Sequence, residues 1–401
     1  LPAKIINRFP TWWLAGLSAI PALIWLLLQH YLYQRSGIQI PADAVFRYIP
    51  YAQDVAQGLN YDLGQDIRYA GYTSVIAGFL KAGLPYGYVV GLQVFLSLAA
   101  LLLVQRLVAV ITNSWLCSLI AALLVATSQD IQQWNFYVLT ESIFTSTWVF
   151  CTAMLVLCRN RTAWVLGIPL WLFVCLVRPN GIFIIVAAAV YLFAIRFQTS
   201  SAVQRRKMLL GVGITAILFF LLLNQLLGPF TLVETYARGE IIYGTAYSNL
   251  TPPGSSMYRI EPPSTLQMPP TTASALGKLF LFFWHNPVFF LKLALVKGAV
   301  FIAFAKPYFS SAHNLFIFLT VYPCYLLSTQ AFKNKRSRAV VVALFSLVGL
   351  QTLMVMFTVE DWDCRFMAPI LPFIFMLGAI GLKQTVGRHF PAWDRIDSQT
   401  D

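Results

Sequence analysis

Apolar runs close to the length of a bilayer crossing recur along the whole chain, separated by short polar breaks. A helix needs about twenty apolar residues to span the hydrocarbon core. The pattern predicts ten spans: Thr11–Tyr33, Tyr86–Val110, Asn113–Ser128, Glu141–Cys158, Thr162–Val177, Gly181–Ile195, Met208–Leu227, Leu315–Phe332, Ala339–Val359 and Phe366–Lys383. Tyr72–Leu84 is apolar but too short to cross, and reads as a re-entrant or interfacial helix. Gln129–Thr140 reads as a polar loop between the third and fourth spans. Two polar stretches are longer. Residues 34–71 are punctuated by Gly58, Gly64 and Gly71, with Pro50 placed to start a helix. Residues 228–275 carry Thr251-Pro-Pro-Gly254, Glu261-Pro-Pro263 and Met268-Pro-Pro-Thr-Thr272, which is loop composition. Leu276–Phe309 is apolar, but Lys278, His285, Lys292, Lys297 and Lys306 interrupt it and Pro287 breaks it. It reads as amphipathic interfacial helices with those cations on a wet face.

Composition agrees with a polytopic all-α membrane protein. Of 401 residues, 58% are hydrophobic and 11% charged, and the mean hydropathy is +0.69. A water-soluble fold of this size could not hide that much apolar surface. The pattern divides the chain into 1–227 (spans one to seven), 228–314 (an outer loop with interfacial helices) and 315–401 (the last three spans and a basic tail). The first apolar run is too long and lacks the small-residue pattern of a cleaved signal peptide, so it reads as a retained helix.

The net charge of +13 raises nucleic acid as a partner, but its distribution points to the lipid bilayer instead. With ten spans, one side collects 16 of the 28 basic residues and only three acids, Asp394, Asp397 and Asp401. Basic excess in short loops marks the cytoplasmic face, and clusters such as Arg205-Arg206-Lys207 suit an anionic lipid surface. This reading places the chain in the inner (cytoplasmic) membrane, with both termini on the cytoplasmic side and both long polar stretches outside.

All other acids then face outward, in groups at Asp43–Asp66, Asp130–Glu141, Glu234–Glu261 and Glu360–Asp363. Enzymes acting on lipid-linked substrates need a carboxylate at the membrane boundary to take a proton from an acceptor hydroxyl. They also need Arg or Lys to hold a departing phosphate. Asp43 with Arg47, Arg68, Arg178 and Arg365 supplies both kinds of group on one side. Five of the six cysteines lie in apolar spans, Cys364 alone in a polar loop, and no CxxC occurs. No Walker loop, HExxH, GxSxG or Rossmann fingerprint is present.

The order of these features resembles the GT-C glycosyltransferases. A long first span is followed by Asp43-Ala44 in the first outer loop, then by Arg68-Tyr-Ala-Gly-Tyr-Thr-Ser-Val-Ile-Ala-Gly-Phe-Leu-Lys81 before the second span. Leu139-Thr-Glu-Ser142 is similar to the acid-bearing second outer loop, and Arg365-Phe-Met-Ala-Pro-Ile-Leu-Pro372 to the opening of a late span. The flavour is that of protein mannosyltransferases and lipid A aminoarabinose transferases. The resemblance implies transfer of a sugar from a polyprenyl-phosphate donor to a glycan, lipid or protein acceptor. It implies catalytic roles for Asp43, Glu141 and Asp54. It implies donor phosphate at Arg365, Arg178 and Arg68, with Arg47, Tyr69 and Tyr72 touching substrate. No cofactor is required, and a divalent cation is an option. The chain departs from many relatives in having Ala44, not a second acid, after Asp43.

Each residue also has a plain structural reading. Asp43 could cap a helix and meet Arg47 one turn on. Asp54 could solvate the loop, and Glu141 could cap the fourth span. Arg365 could pair with Glu360, Asp361 or Asp363, Arg178 could snorkel, and Arg68, Tyr69 and Tyr72 could anchor at the interface. A transporter or flippase of a lipid-linked or anionic solute is the rival function, although it would place charge on broken helices near the midplane. A membrane acyltransferase would need a buried histidine within reach of its substrate, and His30, His285, His313 and His389 sit at span edges or in loops.

Overall fold

The computed structural model describes residues 11–58, 65–158, 161–211, 232–245, 255–333 and 337–389. It is 79% helix, and among the described residues it contains no strand, only isolated bridges. Among the described residues, five helices are long and apolar enough to cross a membrane: Gly16–Ser36, Gly87–Thr112, Pro179–Phe197, Arg338–Phe357 and Ala368–Gly387. Two bent pairs, Trp115–Thr127 with Gln129–Phe136 and Ala275–His285 with Pro287–Ala303, bring the number to seven if each is one span. The chain is thus helical with several membrane-length apolar segments. The eighth expected span is a helix of 21 residues, Ser311–Ala331, outside those five. Most of the seventh, Met208–Leu227, lies outside the described residues.

The contacts divide the chain into two compact units that interleave in sequence. The first holds residues 1–191, 318–348 and 368–401. In it, helix α1 (Thr11–Ser36) leads through a π-helical turn (Ala44–Tyr48) into α2 (Ile49–Ala56). A 3-10 turn (Gln65–Tyr69) opens α3 (Ala70–Lys81). Helix α4 (Gly87–Thr112) packs on α5 (Trp115–Thr127) and α7 (Glu141–Leu157), and α7 packs on α8 (Arg161–Val177). The last helix, Leu371–His389, lies against α4 and α5. Its Gly381 approaches so near that a Cβ there would lie 1.8 Å from the Leu327 carbonyl oxygen. Small residues permit such close helix contact where lipid supplies no hydrophobic drive. Helix α7 buries nearly its whole circumference despite Ser142, Thr145, Ser146, Thr147 and Thr152. The Thr147 and Thr152 hydroxyls donate to carbonyls of the preceding turn, so these polar atoms are satisfied within the helix.

One expected loop is corrected. Gln129–Thr140 is not a water-facing link: after a 60° bend at Ser128 it runs as α6 (Gln129–Gln132) and a 3-10 turn (Gln133–Phe136) inside the bundle. Asp130, Gln132, Asn135 and Thr140 are all buried. Their polarity suggested water, but Gln132 and Asn135 are hydrogen-bonded to other protein groups instead.

The second unit holds residues 192–317 and 349–367. Its apolar core gathers Tyr236, Ile242, Phe282, Phe290 and Leu293. Ala275–His285 and Pro287–Ala303 meet at 107°. At this elbow the Asn286 side chain accepts from Gln267 N at 3.0 Å and donates to Gln267 O at 2.8 Å. The break at Pro287 agrees with the sequence, but the wet face is corrected. His285 and Lys292 are exposed, whereas Lys297 and Lys306 are each 1% exposed. Lys297 donates to the Thr358 carbonyl and lies 4.0 Å from the Tyr236 ring centre. Lys306 pairs with buried Glu360 at 3.1 Å. A buried lysine is retained where a carboxylate, carbonyl or aromatic face replaces water.

Candidate functional site

The first unit brings together the turn before α2, the start of α3, the start of α7 and the end of α8. At its centre Arg178 donates to Glu141 at 2.7 Å, with side-chain exposures of 8% and 2%. Glu141 opens α7, where a carboxylate suits the helix N-terminus, and its second oxygen accepts from the Thr140 hydroxyl at 3.3 Å. Arg178 follows the last residue of α8, and its guanidinium lies 5.7 Å from the Phe144 ring centre. Glycine shapes the approach of α3. A Cβ on Gly71 would lie 2.9 Å from Leu176 C and Val177 N, so only glycine lets α3 meet the end of α8 this closely.

Tyr48 and Tyr72 lie in the field of the ion pair, and Tyr69 packs on Tyr48. Tyr48 meets Tyr69 edge-on at 5.2 Å and Tyr72 at 5.5 Å. Burial holds the Tyr48 phenol well above its ordinary range, with Tyr69, Glu141 and Asp43 adding to the rise and Arg178 opposing it. Burial likewise raises Tyr72, and the fields of Glu141 and Tyr48 add to it. Both phenols therefore stay neutral donors at ordinary pH. The Tyr72 hydroxyl donates to Gln93 Oε1 at 3.1 Å.

Of the residues expected from the sequence, Asp43, Glu141, Arg178, Tyr69 and Tyr72 gather around Tyr48. Asp43 is half-buried and makes no side-chain cap. The alternative in which it pairs with Arg47 is corrected. Arg47 bonds Asp66 instead, at 2.8 Å, and lies 5.2 Å from the Tyr69 ring centre. Folding of the first loop brings its two halves together, so a partner nineteen positions away displaces the neighbour one turn away. Arg68 is half-buried in the 3-10 turn that carries Asp66 and Tyr69, and Asp54 is exposed on α2. Arg365 belongs to the second unit, where it pairs with Asp361 at 2.6 Å. Among the described residues no cluster of three or more His, Cys, Asp or Glu has the arrangement of a metal site.

Behind the ion pair lies a buried amide network that the sequence reading missed. Gln132 Oε1 accepts from Trp25 Nε1 (2.9 Å), Ser97 Oγ (3.0 Å), Asn135 Nδ2 (3.1 Å) and Gln29 Nε2 (3.1 Å). Gln132 Nε2 donates to the Val125 carbonyl, which fixes the orientation of the amide. Ser142, next to Glu141, donates to Asn135 Oδ1 at 2.6 Å. Gln93 Nε2 donates to the carbonyls of Asn135 (2.9 Å) and Tyr137 (2.8 Å). The available signal was an amide inside each apolar run, Gln29 and Gln93, opposite a polar segment rich in amides. A cavity of about 10 Å³ adjoins the network, lined by Ser97, Gln132, Asn135, Ser142, Thr145 and Ser146 among others. It has room for one water and not for a sugar, and Asp43 does not line it.

No family model, no curated protein and no solved structure matches this chain.

Proposed function

We propose that the chain is an inverting glycosyltransferase of the GT-C kind, moving a monosaccharide from a polyprenyl-phosphate carrier to an acceptor hydroxyl. In this proposal ten crossings leave both termini in the cytoplasm and the reaction at the outer face of the inner membrane. The observation that carries the reading is the buried Glu141–Arg178 pair, set beside Asp43 and three tyrosines where the first loop meets α3, α7 and α8. Ionisable groups at membrane boundaries are costly and are kept for use.

The acceptor oxygen attacks the anomeric carbon as the bond from that carbon to the phosphate oxygen breaks. The acceptor proton passes to Asp43, and the polyprenyl phosphate departs with the bonding electrons. Glu141 fixes the Arg178 guanidinium, which meets the phosphate as its charge grows, and Arg68 adds a second cation. The Tyr69 ring offers a face to the sugar. Holding donor and acceptor in line supplies much of the rate. The test is incubation of purified protein with a panel of polyprenyl-phosphate sugars and candidate acceptors. A consumed donor and a glycosylated product support the reading; no turnover with any donor, in protein shown to be folded, opposes it.

A transporter of a lipid-linked solute is the second reading. The 60° break between α5 and α6, with buried polar groups at the bend, favours it. Movement of intact labelled lipid across proteoliposomes without product formation would select it.

A further inference from the structure

We infer that Gln93 is a positioning residue, the amide that sets Tyr72 on α3 and the turn leading into Glu141 in fixed relation to each other. The inference deepens the glycosyl-transfer reading of the same site and rests on it for its catalytic arm only. Gln93 lies in the second turn of α4 and is fully buried. Its amide uses both N–H groups and its oxygen: the donors go to the carbonyls of Asn135 and Tyr137, and the acceptor takes the Tyr72 hydroxyl.

The two carbonyls belong to the buried stretch that becomes α7. That stretch is held on another side by the backbone of Gln39. Gln39 N donates to Phe136 O at 2.8 Å, and Val138 N donates to Gln39 O at 2.9 Å. Within it, Asn135 takes the hydroxyl of Ser142, one residue after Glu141. Displacing the turn therefore displaces the start of α7 and the carboxylate that grips Arg178. On the other side, Tyr72 meets the Tyr48 ring at 5.5 Å, and the Tyr48 hydroxyl lies in the fields of Glu141, Arg178 and Asp43.

The chemistry at position 93 is demanding. It needs two donors and one acceptor in one planar group, at the end of a two-carbon stem. An ionised glutamate keeps the acceptor for Tyr72 and loses both donors. A leucine loses all of them. Asparagine has the right atoms and one methylene too few.

The experiment places 3-fluorotyrosine at position 48 and records ¹⁹F spectra of the full chain in lipid nanodiscs, with Gln93, Gln93→Leu and Gln93→Glu. The expected result is a shifted or broadened Tyr48 resonance in both variants, larger for Gln93→Leu. A resonance unchanged in both folded variants overturns the inference, because Gln93 would then act only locally. Gln93→Glu serves where Gln93→Leu does not fold, since it retains the Tyr72 contact. In the transfer assay kcat is expected to fall roughly 10- to 100-fold while the donor KM stays within about threefold, the pattern of misplaced groups rather than lost binding. Unchanged kcat in a folded variant also overturns it. If the wild-type protein transfers no sugar, the functional reading has failed, and the spectra alone decide whether Gln93 positions Tyr48.

Discussion

Replacing Glu141 by glutamine keeps the side-chain shape and removes its charge, leaving Arg178 buried at 8% exposure without the Glu141 carboxylate charge. At 2.7 Å and this burial, solvent screening is weak. Breaking one partner of such a pair costs about 3–5 kcal/mol, because the remaining ion keeps its desolvation penalty. In equilibrium terms that is roughly a 150- to 5,000-fold fall in the folded-to-unfolded ratio. Arg178→Met should cost a similar amount, leaving the Glu141 carboxylate without its cation at 2% exposure. The double variant Glu141→Gln/Arg178→Met should be milder than the sum of the two, since it strands no charge. The assay is reversible unfolding in mixed micelles titrated with a denaturing detergent, on all four proteins of the cycle. Single costs of about 1 kcal/mol or less, the level of an exposed pair, or strict additivity in the double variant, would refute the argument that this pair is desolvated and mutually dependent.

Asp43→Asn should abolish sugar transfer while leaving the unfolding midpoint near that of wild type; wild-type turnover in the variant removes the proposed base. Gly71→Ala should destabilise by roughly 1–3 kcal/mol, because its Cβ would press on the Leu176–Val177 backbone. Gly78→Ala in the same helix, with nothing within 4 Å, should stabilise by about 0.5–1 kcal/mol, and equal effects at the two positions would contradict the packing described. For Glu360, burial pushes the carboxyl above its ordinary 4.5, against the opposing pull of Lys306. The folded state then binds the proton more tightly than the unfolded chain. Its contribution is fully present below pH 4.5 and is lost as pH rises through the raised value. Glu360→Gln should therefore remove this pH dependence and flatten the stability–pH curve relative to wild type; an unchanged curve would mean that Glu360 does not titrate in this window.

The helical class and several of the membrane-length segments could be read from apolar run length, because that property is local. Asp43, Glu141 and Arg178 were legible as charges next to apolar runs, and the structure sets all three around Tyr48. Their pairing was not legible. Glu141 and Arg178 are 37 positions apart, and Arg47 chose Asp66 over the nearer Asp43. Polarity also misled where it was internally satisfied. Gln132 and Asn135 were read as loop residues, yet they are buried with hydrogen-bond partners on α1, α4 and α7. Lys297 and Lys306 were read as wetted for the same reason, and each found a carbonyl, a ring or a carboxylate instead. Hydropathy scores a side chain against water, so it cannot see a partner supplied by a distant part of the chain.

The Asn286 elbow bears on the parity of the membrane crossings. Straightened, Ala275–Ala303 would have the length and apolarity of one traverse. Bent by 107°, its two arms do not form one straight traverse. An added traverse would invert every downstream loop and send the basic run Lys333–Arg338 to the opposite face of the bilayer. Two hydrogen bonds from a single carboxamide to Gln267 therefore brace the corner on which an odd or even count turns.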